Sequence, residues 1–295
     1  MSPWVLRGLR NGVVTTRWPA RADQYASSWR GPATVRAPVA PAGAGELTGA
    51  GELTGAGELA GAGELAALCP TGAISVQPAA GVRLNVRLDV RLDQGKCILC
   101  GRCVAARPDT FAWSDGPGGA ALTRGGLVVP EIPETPGNLA RIREGLRLRT
   151  AALRRSVHLR HVDAGSDGAE EQEIQALLGP VYDIHRLGIF ITASPRHADV
   201  LLVTGAGARG MIEPLRRTFD GMPEPKLVIA VGTDAVSGGL ISPSYATAGG
   251  VGEAVGVDAW LPGSPPSPFS ILHALLLVLG RLPGRDGPTR HGGAR

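Results

Sequence analysis

The chain has 295 residues, a formal net charge of +4 and only four cysteines. That length suits about two domains, and basic residues spread thinly along it leave no concentrated footprint for nucleic acid. The longest apolar run, 269–279, is well short of the ~20 residues that a membrane-crossing helix needs, and no apolar leader follows the first residues, so a cytoplasmic setting is expected.

Residues 1–30 read as a basic N-terminal arm: a short helix, then a strand-like Val13-Val-Thr-Thr16. Arg7, Arg10, Arg17 and Arg21 give it charge, and Trp4, Val5, Leu6 and Leu9 give it an apolar side to bury. The bland reading is a solvated face; the sharper one, which is favoured, is docking to an acidic subunit or to lipid headgroups. Residues 31–66 form a low-complexity stretch in which Gly-Glu-Leu-Thr/Ala-Gly-Ala repeats with period six from Gly45. Six matches neither the helix nor the strand period, so no continuous apolar face forms and a flexible linker is expected.

All four cysteines fall in the next stretch, 67–113. Three form Cys97-Ile-Leu-Cys100-Gly-Arg-Cys103, and one opens Cys69-Pro-Thr-Gly-Ala-Ile74. A C-x2-C-x2-C loop wraps three thiolates around one cubane, and the fourth comes from elsewhere. In bacterial ferredoxin sequences the run is C-x2-C-x2-C-x3-C-P, and its last cysteine ligates the other cluster. Here Cys69-Pro70 reads as the tail of a first run whose other positions hold Leu59, Ala62 and Leu65, while the second run ends in Arg107-Pro108. Sorted by cluster, all ligands of one 4Fe–4S cluster are present (Cys69, Cys97, Cys100 and Cys103) and all ligands of the other are missing. Zinc is the competing reading, but structural zinc sites usually come as two spaced pairs, and the triple is crowded for that. Disulfides are not expected in a chain of this length with no mark of secretion. Between Cys69 and Cys97, Val-Arg-Leu-Asn/Asp repeats over 82–93; its period of two predicts a half-exposed strand.

Residues 114–155 read as a Gly- and Pro-rich linker followed by a basic, solvated helix from Asn138 to Thr150. From Val157 the pattern changes to alternating strands and helices. Strands are expected at 157–162, 189–192, 200–204, 227–231 and 257–261, and helices at 170–178, 209–219 and 269–279. Runs such as Val200-Leu-Leu-Val203 imply burial on both faces. The fold class is therefore α/β: a doubly wound parallel sheet domain at 156–283, an N-terminal iron–sulfur module, and a disordered tail at 284–295. Ligand sites are expected beyond the carboxyl ends of the strands, in the loops 163–167, 232–235 and 262–268. Gly205-Ala-Gly207-Ala-Arg-Gly210 has dinucleotide-loop spacing but reads better as a strand-to-helix turn, because no acidic partner stands in a second βα unit. No Ser/His/Asp or Cys/His arrangement is present, so no catalytic residue is assigned.

Four phrases carry a resemblance. They are His161-Val-Asp-Ala-Gly-Ser166, Ala193-Ser-Pro-Arg-His-Ala-Asp-Val-Leu-Leu-Val-Thr-Gly205, Pro225-Lys-Leu-Val-Ile-Ala-Val-Gly232 and Pro262-Gly-Ser-Pro-Pro-Ser-Pro268. Together they make 157–280 similar to the 20 kDa (B-type) subunit of respiratory complex I and to the small subunit of nickel–iron hydrogenases. Trp4–Pro19, Cys69–Ile74 and Leu92–Cys103 resemble the ferredoxin-like subunit found beside it in formate-hydrogenlyase-type complexes, which gives the chain the look of a fusion of two neighbouring subunits. The resemblance implies a terminal 4Fe–4S cluster on four cysteines of the sheet-end loops. Here those positions hold Asp167, Glu170, Asp234 and Ser264, followed by the family's acidic residue at Glu171. Hard oxygen ligands do not replace thiolate at such a cluster. A Mg or Ca site on the three carboxylates is the alternative to solvated acids in an emptied pocket.

The implied role is an electron-transfer subunit, with one 4Fe–4S cluster, of an oxidoreductase of the NADH–quinone or group 4 hydrogenase kind. Its partners would be a large catalytic-type subunit and a membrane arm, through which it would sit on the inner face of the cell membrane with no span of its own. A non-redox scaffold with a structural or sensing cluster is the alternative.

Overall fold

The computed structural model describes residues 3–21, 23, 29–36, 63–78, 88–130, 136–151, 153 and 156–282. The first half contains α1 (Pro3–Asn11), β1 (Arg30–Val35), β2 (Ile74–Pro78), β3 (Leu88–Asp93), α2 (Arg102–Ala106), β4 (Phe111–Asp115), β5 (Val128–Val129) and α3 (Pro136–Thr150). The second half runs β6 (Val157–Asp163), α4 (Ala169–Ala176), β7 (Ile189–Ile191), β8 (Val200–Thr204), α5 (Arg209–Asp220), β9 (Leu227–Val231), α6 (Thr233–Ser237), β10 (Ala259–Leu261) and α7 (Pro268–Val278).

Five parallel strands form one sheet in the order β10-β9-β8-β6-β7. Every residue of β8 and β9 is buried, and the period of two divides them between two cores. Val200, Leu202, Leu227, Ile229 and Val231 face one core with Ile174, Leu177 and the apolar α7. Leu201, Val203, Val228 and Ala230 face the other with Leu215, Ala235 and Val236. A sheet covered on both faces selects continuous apolar strands, and each buried Leu, Ile or Val side chain contributes roughly 1.5–3 kcal/mol. The helix α7 is apolar nearly all round because it lies within the first core, and Ser267 caps it by accepting the Ser270 N–H at 3.2 Å. The register pairs Asp163 with Thr204 and Val231 with Leu261. The loops that leave β6, β8, β9 and β10 therefore emerge along one edge.

The first half builds two small antiparallel sheets, β1-β4 and β2-β3-β5. Phe111, Leu92, Ala33, Ile74 and Val129 close a third core, which also takes in Cys97. This half is fixed to the parallel sheet at several points. Ala121 and Trp260 exchange two backbone hydrogen bonds of 2.9 and 2.8 Å, and Arg149 grips the Asp258 carboxylate at 2.6 Å. Trp18 and Trp29 pack on Phe269 with ring centroids 6.1 and 3.9 Å away.

Several expectations need correction. The segment 31–66, read as a linker, is built into the fold at both ends. Ala33, Thr34 and Val35 pair with Trp113, Ala112 and Phe111, and a helical turn at 63–67 buries Leu65. The six-residue repeats at 45–62 and the tail 284–295 lie outside the described residues, as do 79–87 of the repeated strand, of which β3 is the described end. Val13–Thr16 joins none of the described sheets and bends at Thr15; it is held by Thr16 N–H donating to the Val181 carbonyl and Thr15 Oγ1 to the Pro180 carbonyl. Residues 116–130 do not form a loose linker, since Ala120, Ala121, Leu127 and Val129 are buried. The helix α3 is mostly solvated, as expected, apart from Leu146, Thr150 and the anchored Arg149.

Candidate functional site

The three-cysteine loop begins where β3 ends. Asp93 caps the following turn by accepting the Gly95 N–H at 2.9 Å, and Arg124 holds the same carboxylate with two bonds of 2.7 Å. Gln94 is fully buried and donates to the Ala33 carbonyl at 2.9 Å, which fixes the turn against β1. The chain then coils through left-handed backbone at Leu99 (φ 59°) and Gly101 (φ 74°) before α2. Gly101 is required there, because an added Cβ would sit 3.0 Å from the Trp113 ring in an already unfavourable conformation. This coil curls a C-x2-C-x2-C segment back on itself.

Cys69 reaches the loop from the helical turn at 63–67. The Ala73 N–H donates to Cys69 Sγ at 3.3 Å, and Thr71 Oγ1 donates to the Lys96 carbonyl at 2.6 Å, tying the two cysteine segments together. Cys69, Cys97 and Cys103 pack in the third core, and Cys100 is exposed. Burial holds the Cys97 and Cys103 thiols above the ordinary thiol range. The other cysteines push the same way, while backbone groups of Ala33 and Leu99 (at Cys97) and of Val104 (at Cys103) oppose. All four cysteines are free, and Cys97, Cys100 and Cys69 lie close enough to Cys103 to add to its shift.

This donor set fits an iron–sulfur cluster: four thiols, backbone hydrogen bonds aimed at sulfur, and an apolar wall. Among the described residues no three His, Cys, Asp or Glu side chains are set to hold a metal ion. That geometry concerns ligands converging on one ion, whereas a cubane takes one thiolate at each of four separate irons.

The positions Asp167, Glu170, Asp234 and Ser264 gather at the sheet edge. Asp167 is exposed and accepts the Ala169 N–H at 3.0 Å. Glu170 enters α4 and is not solvated, which corrects the sequence reading: it is 1% exposed, and neither carboxylate oxygen has a hydrogen-bond partner. Burial pushes its pKa up to about 7, with the Asp234, Asp167 and Glu171 carboxylates adding to the shift. Asp234 is half-buried and is likewise raised by burial and by Asp167. Gly232 covers Glu170 so closely that a Cβ there would lie 2.5 Å from Oε1. Ser264 is half-buried beside Gly263. Three carboxylates and a hydroxyl do not fit a 4Fe–4S cluster, which selects thiolate.

The two constellations meet at Thr233. Its Oγ1 donates to the Cys97 carbonyl at 2.7 Å and accepts the Gly263 N–H at 2.9 Å, and its own N–H donates to the Gly263 carbonyl at 2.7 Å. One fully buried threonine thus joins the cysteine loop, the Asp234 loop and the Ser264 loop. The sequence reading missed it; the usable signal was a small hydroxyl residue at the carboxyl end of an apolar strand. Arg124 and Gln94 were missed because their partners are distant in sequence. His161 turns inward to Thr204 Oγ1 at 2.9 Å and Glu171 Oε1 at 3.4 Å, with Ser166 donating to Glu171 Oε2 at 2.8 Å. This network locks the loops after β6 and β8. Gly205 and Gly207 serve the same packing: a Cβ would lie 2.5 Å from the backbone of Gly165 and Ser166 in one case and from the Gly250 carbonyl in the other. The space a phosphate would need beside them holds this chain's own backbone.

A five-stranded parallel sheet with acidic loops gathered at its edge, docked to a four-cysteine module, is the architecture with which known proteins can be compared. Residues 168–278 match the family described as NADH ubiquinone oxidoreductase, 20 kDa subunit. The chain is 41% identical over 130 residues to formate hydrogenlyase subunit 7 of Escherichia coli, covering 44% of this chain and 51% of that protein. It therefore spans about half the length of that relative. It is 39% identical to the probable membrane-bound hydrogenase subunit mbhJ of Pyrococcus furiosus, over 43% of this chain and 77% of that one. It is 42% identical to an uncharacterized protein of Methanocaldococcus jannaschii, over 42% of this chain and 84% of that one. The chain belongs to the NADH ubiquinone oxidoreductase 20 kDa subunit family.

Proposed function

We propose that this protein is an iron–sulfur electron-transfer subunit of a complex-I-like or group 4 hydrogenase-like membrane complex. It carries one 4Fe–4S cluster on Cys69, Cys97, Cys100 and Cys103, in a ferredoxin-like module fused ahead of a doubly wound 20 kDa-subunit domain whose own cluster position is degenerate. The observation that carries the reading is the bond from Thr71 Oγ1 to the Lys96 carbonyl, which brings the Cys69 segment to the start of the 97–103 loop, with the Ala73 N–H directed at the Cys69 sulfur. The family and its formate hydrogenlyase and membrane-bound hydrogenase relatives support the kind of complex.

A cluster held by these thiols supplies one-electron transfer. The chain's own residues do the rest. The third core buries Cys97 and half-buries Cys69 and Cys103, and the coil at Leu99 and Gly101 curls the cysteine loop back on itself. Thr233 presses the loop onto the sheet edge, where a large catalytic-type subunit would dock in such complexes. Contact with the membrane arm would place the protein peripherally on the inner face of the cell membrane; no helix among the described residues is long and apolar enough to cross it.

A second reading, a scaffold whose cluster is structural or sensing, is favoured by the carboxylates that stand where the terminal relay would be. Potentiometric titration of anaerobically purified protein, followed by EPR, separates the two. A cluster reduced reversibly within the span of respiratory donors supports the relay. A cluster that cannot be reduced reversibly supports the scaffold.

A further inference from the structure

The helix α1 has no buried residue, and Trp4 is 75% exposed, Leu9 70% and Leu6 52%. At ~100° per residue, Trp4, Val5, Leu6, Gly8 and Leu9 sweep out an apolar arc of roughly 200°, and Arg7 and Arg10 share the opposite side. The apolar surface continues past the helix through Val13 and Val14, which are also exposed, to Val181, which lines the same hollow as Val14. Arg17 and Arg21 follow, and no acidic residue precedes Asp23.

The base of this arm is fixed. Thr15 and Thr16 bond to the Pro180 and Val181 carbonyls, Trp18 packs on Phe269, and Arg186 donates to the Trp18 carbonyl. A force on α1 is therefore transmitted to the sheet domain.

We propose that α1 lies directly on an anionic lipid surface, with Trp4, Val5, Leu6 and Leu9 sunk into the interface and Arg7 and Arg10 at the headgroups. Charge complementarity chooses the lipid: the arm carries Arg7, Arg10, Arg17 and Arg21 and no acid before Asp23. The breadth of the apolar arc chooses a plane over a protein groove. A helix packed on protein needs an apolar stripe of at least about 100°, half of this arc, whereas a helix lying in an interface buries a whole face and lets its arginines snorkel outward. The contact is additional to any attachment through partner subunits, and its failure would leave the iron–sulfur reading untouched.

The test is co-sedimentation of the full chain with vesicles of phosphatidylcholine alone and of phosphatidylcholine with phosphatidylglycerol. Binding is expected to the anionic vesicles and to weaken with salt. Two charges removed in Arg7→Gln/Arg10→Gln should lower the partition coefficient roughly 30-fold, from the effect of basic residues near an anionic surface. Leu6→Asp/Leu9→Asp should abolish it. Both variants should keep the wild-type melting curve, because no residue of the helix is buried. Equal binding by the wild type and the Leu6/Leu9 variant overturns the proposal. No binding to anionic vesicles also overturns it and leaves an acidic protein surface as the occupant of the arm.

Discussion

Replacing Glu170 with glutamine should stabilise the protein at pH 8 and change little at pH 5. In the folded chain this carboxyl is 1% exposed, lacks hydrogen-bond partners, and has its pKa raised from 4.5 to about 7. A raised carboxyl pKa means that the folded state holds its proton after the unfolded state has lost it. Stability then falls as pH rises through the interval between the two values, by about 1.4 kcal/mol per pH unit. From 4.5 to about 7 the full loss comes to about 3 kcal/mol, and it is complete above the folded value. Glutamine keeps the side-chain shape and cannot ionise beside Asp234 and Asp167. The gain should therefore be about 3 kcal/mol at pH 8 and under about 1 kcal/mol at pH 5. Urea unfolding of both proteins at the two pH values, followed by tryptophan fluorescence, measures this. An effect of the same size at both pH values would refute the argument, since it would mean that ionisation of Glu170 is not what the folded state resists.

The remaining predictions concern the joints of the structure. Thr233→Val leaves the Cys97 carbonyl and the Gly263 N–H without Thr233 Oγ1 in a buried place and should cost about 2–6 kcal/mol in urea unfolding, at roughly 1–3 kcal/mol per orphaned group, whereas Thr233→Ser should restore most of it. Arg124→Leu breaks a two-bond ion pair whose partners are 31% and 22% exposed; a loss of about 1–2 kcal/mol is expected, together with less iron retained after gel filtration, because Asp93 positions the turn into Cys97. Gly205→Ala places a Cβ 2.5 Å from the Gly165 and Ser166 backbone at a φ of 83° and should abolish soluble expression, while Gly210→Ala, with open space around it, should express normally.

The parallel sheet was legible because burial on both faces writes itself as unbroken apolar runs. Val200–Thr204 and Leu227–Val231 match their expected bounds, and 257–261 shortens only to Ala259–Leu261. The gathering of Asp167, Glu170 and Asp234 was implied by the family resemblance; their loops follow β6 and β9, which flank β8. What escaped the sequence was non-local. Nothing in Arg30–Val35 points to a partner at Phe111–Asp115, and Gly- and Pro-rich composition hid the buried Leu127 and the Ala121–Trp260 bridge. The short helix α6 was invisible because five residues carry no period. The burial of Glu170 was missed because its charge argues for solvent, while its position on the inner side of α4 under Gly232 puts it inside.

The central claim is one cluster, on Cys69, Cys97, Cys100 and Cys103, and none at the sheet edge. Iron, acid-labile sulfide and zinc per chain, measured on anaerobically prepared protein with an EPR spectrum after dithionite, test it most directly. The account predicts about four iron and four sulfide with a reduced-cluster signal, lost in Cys97→Ser. About eight iron would contradict the empty sheet edge, and zinc without sulfide would contradict the cluster itself.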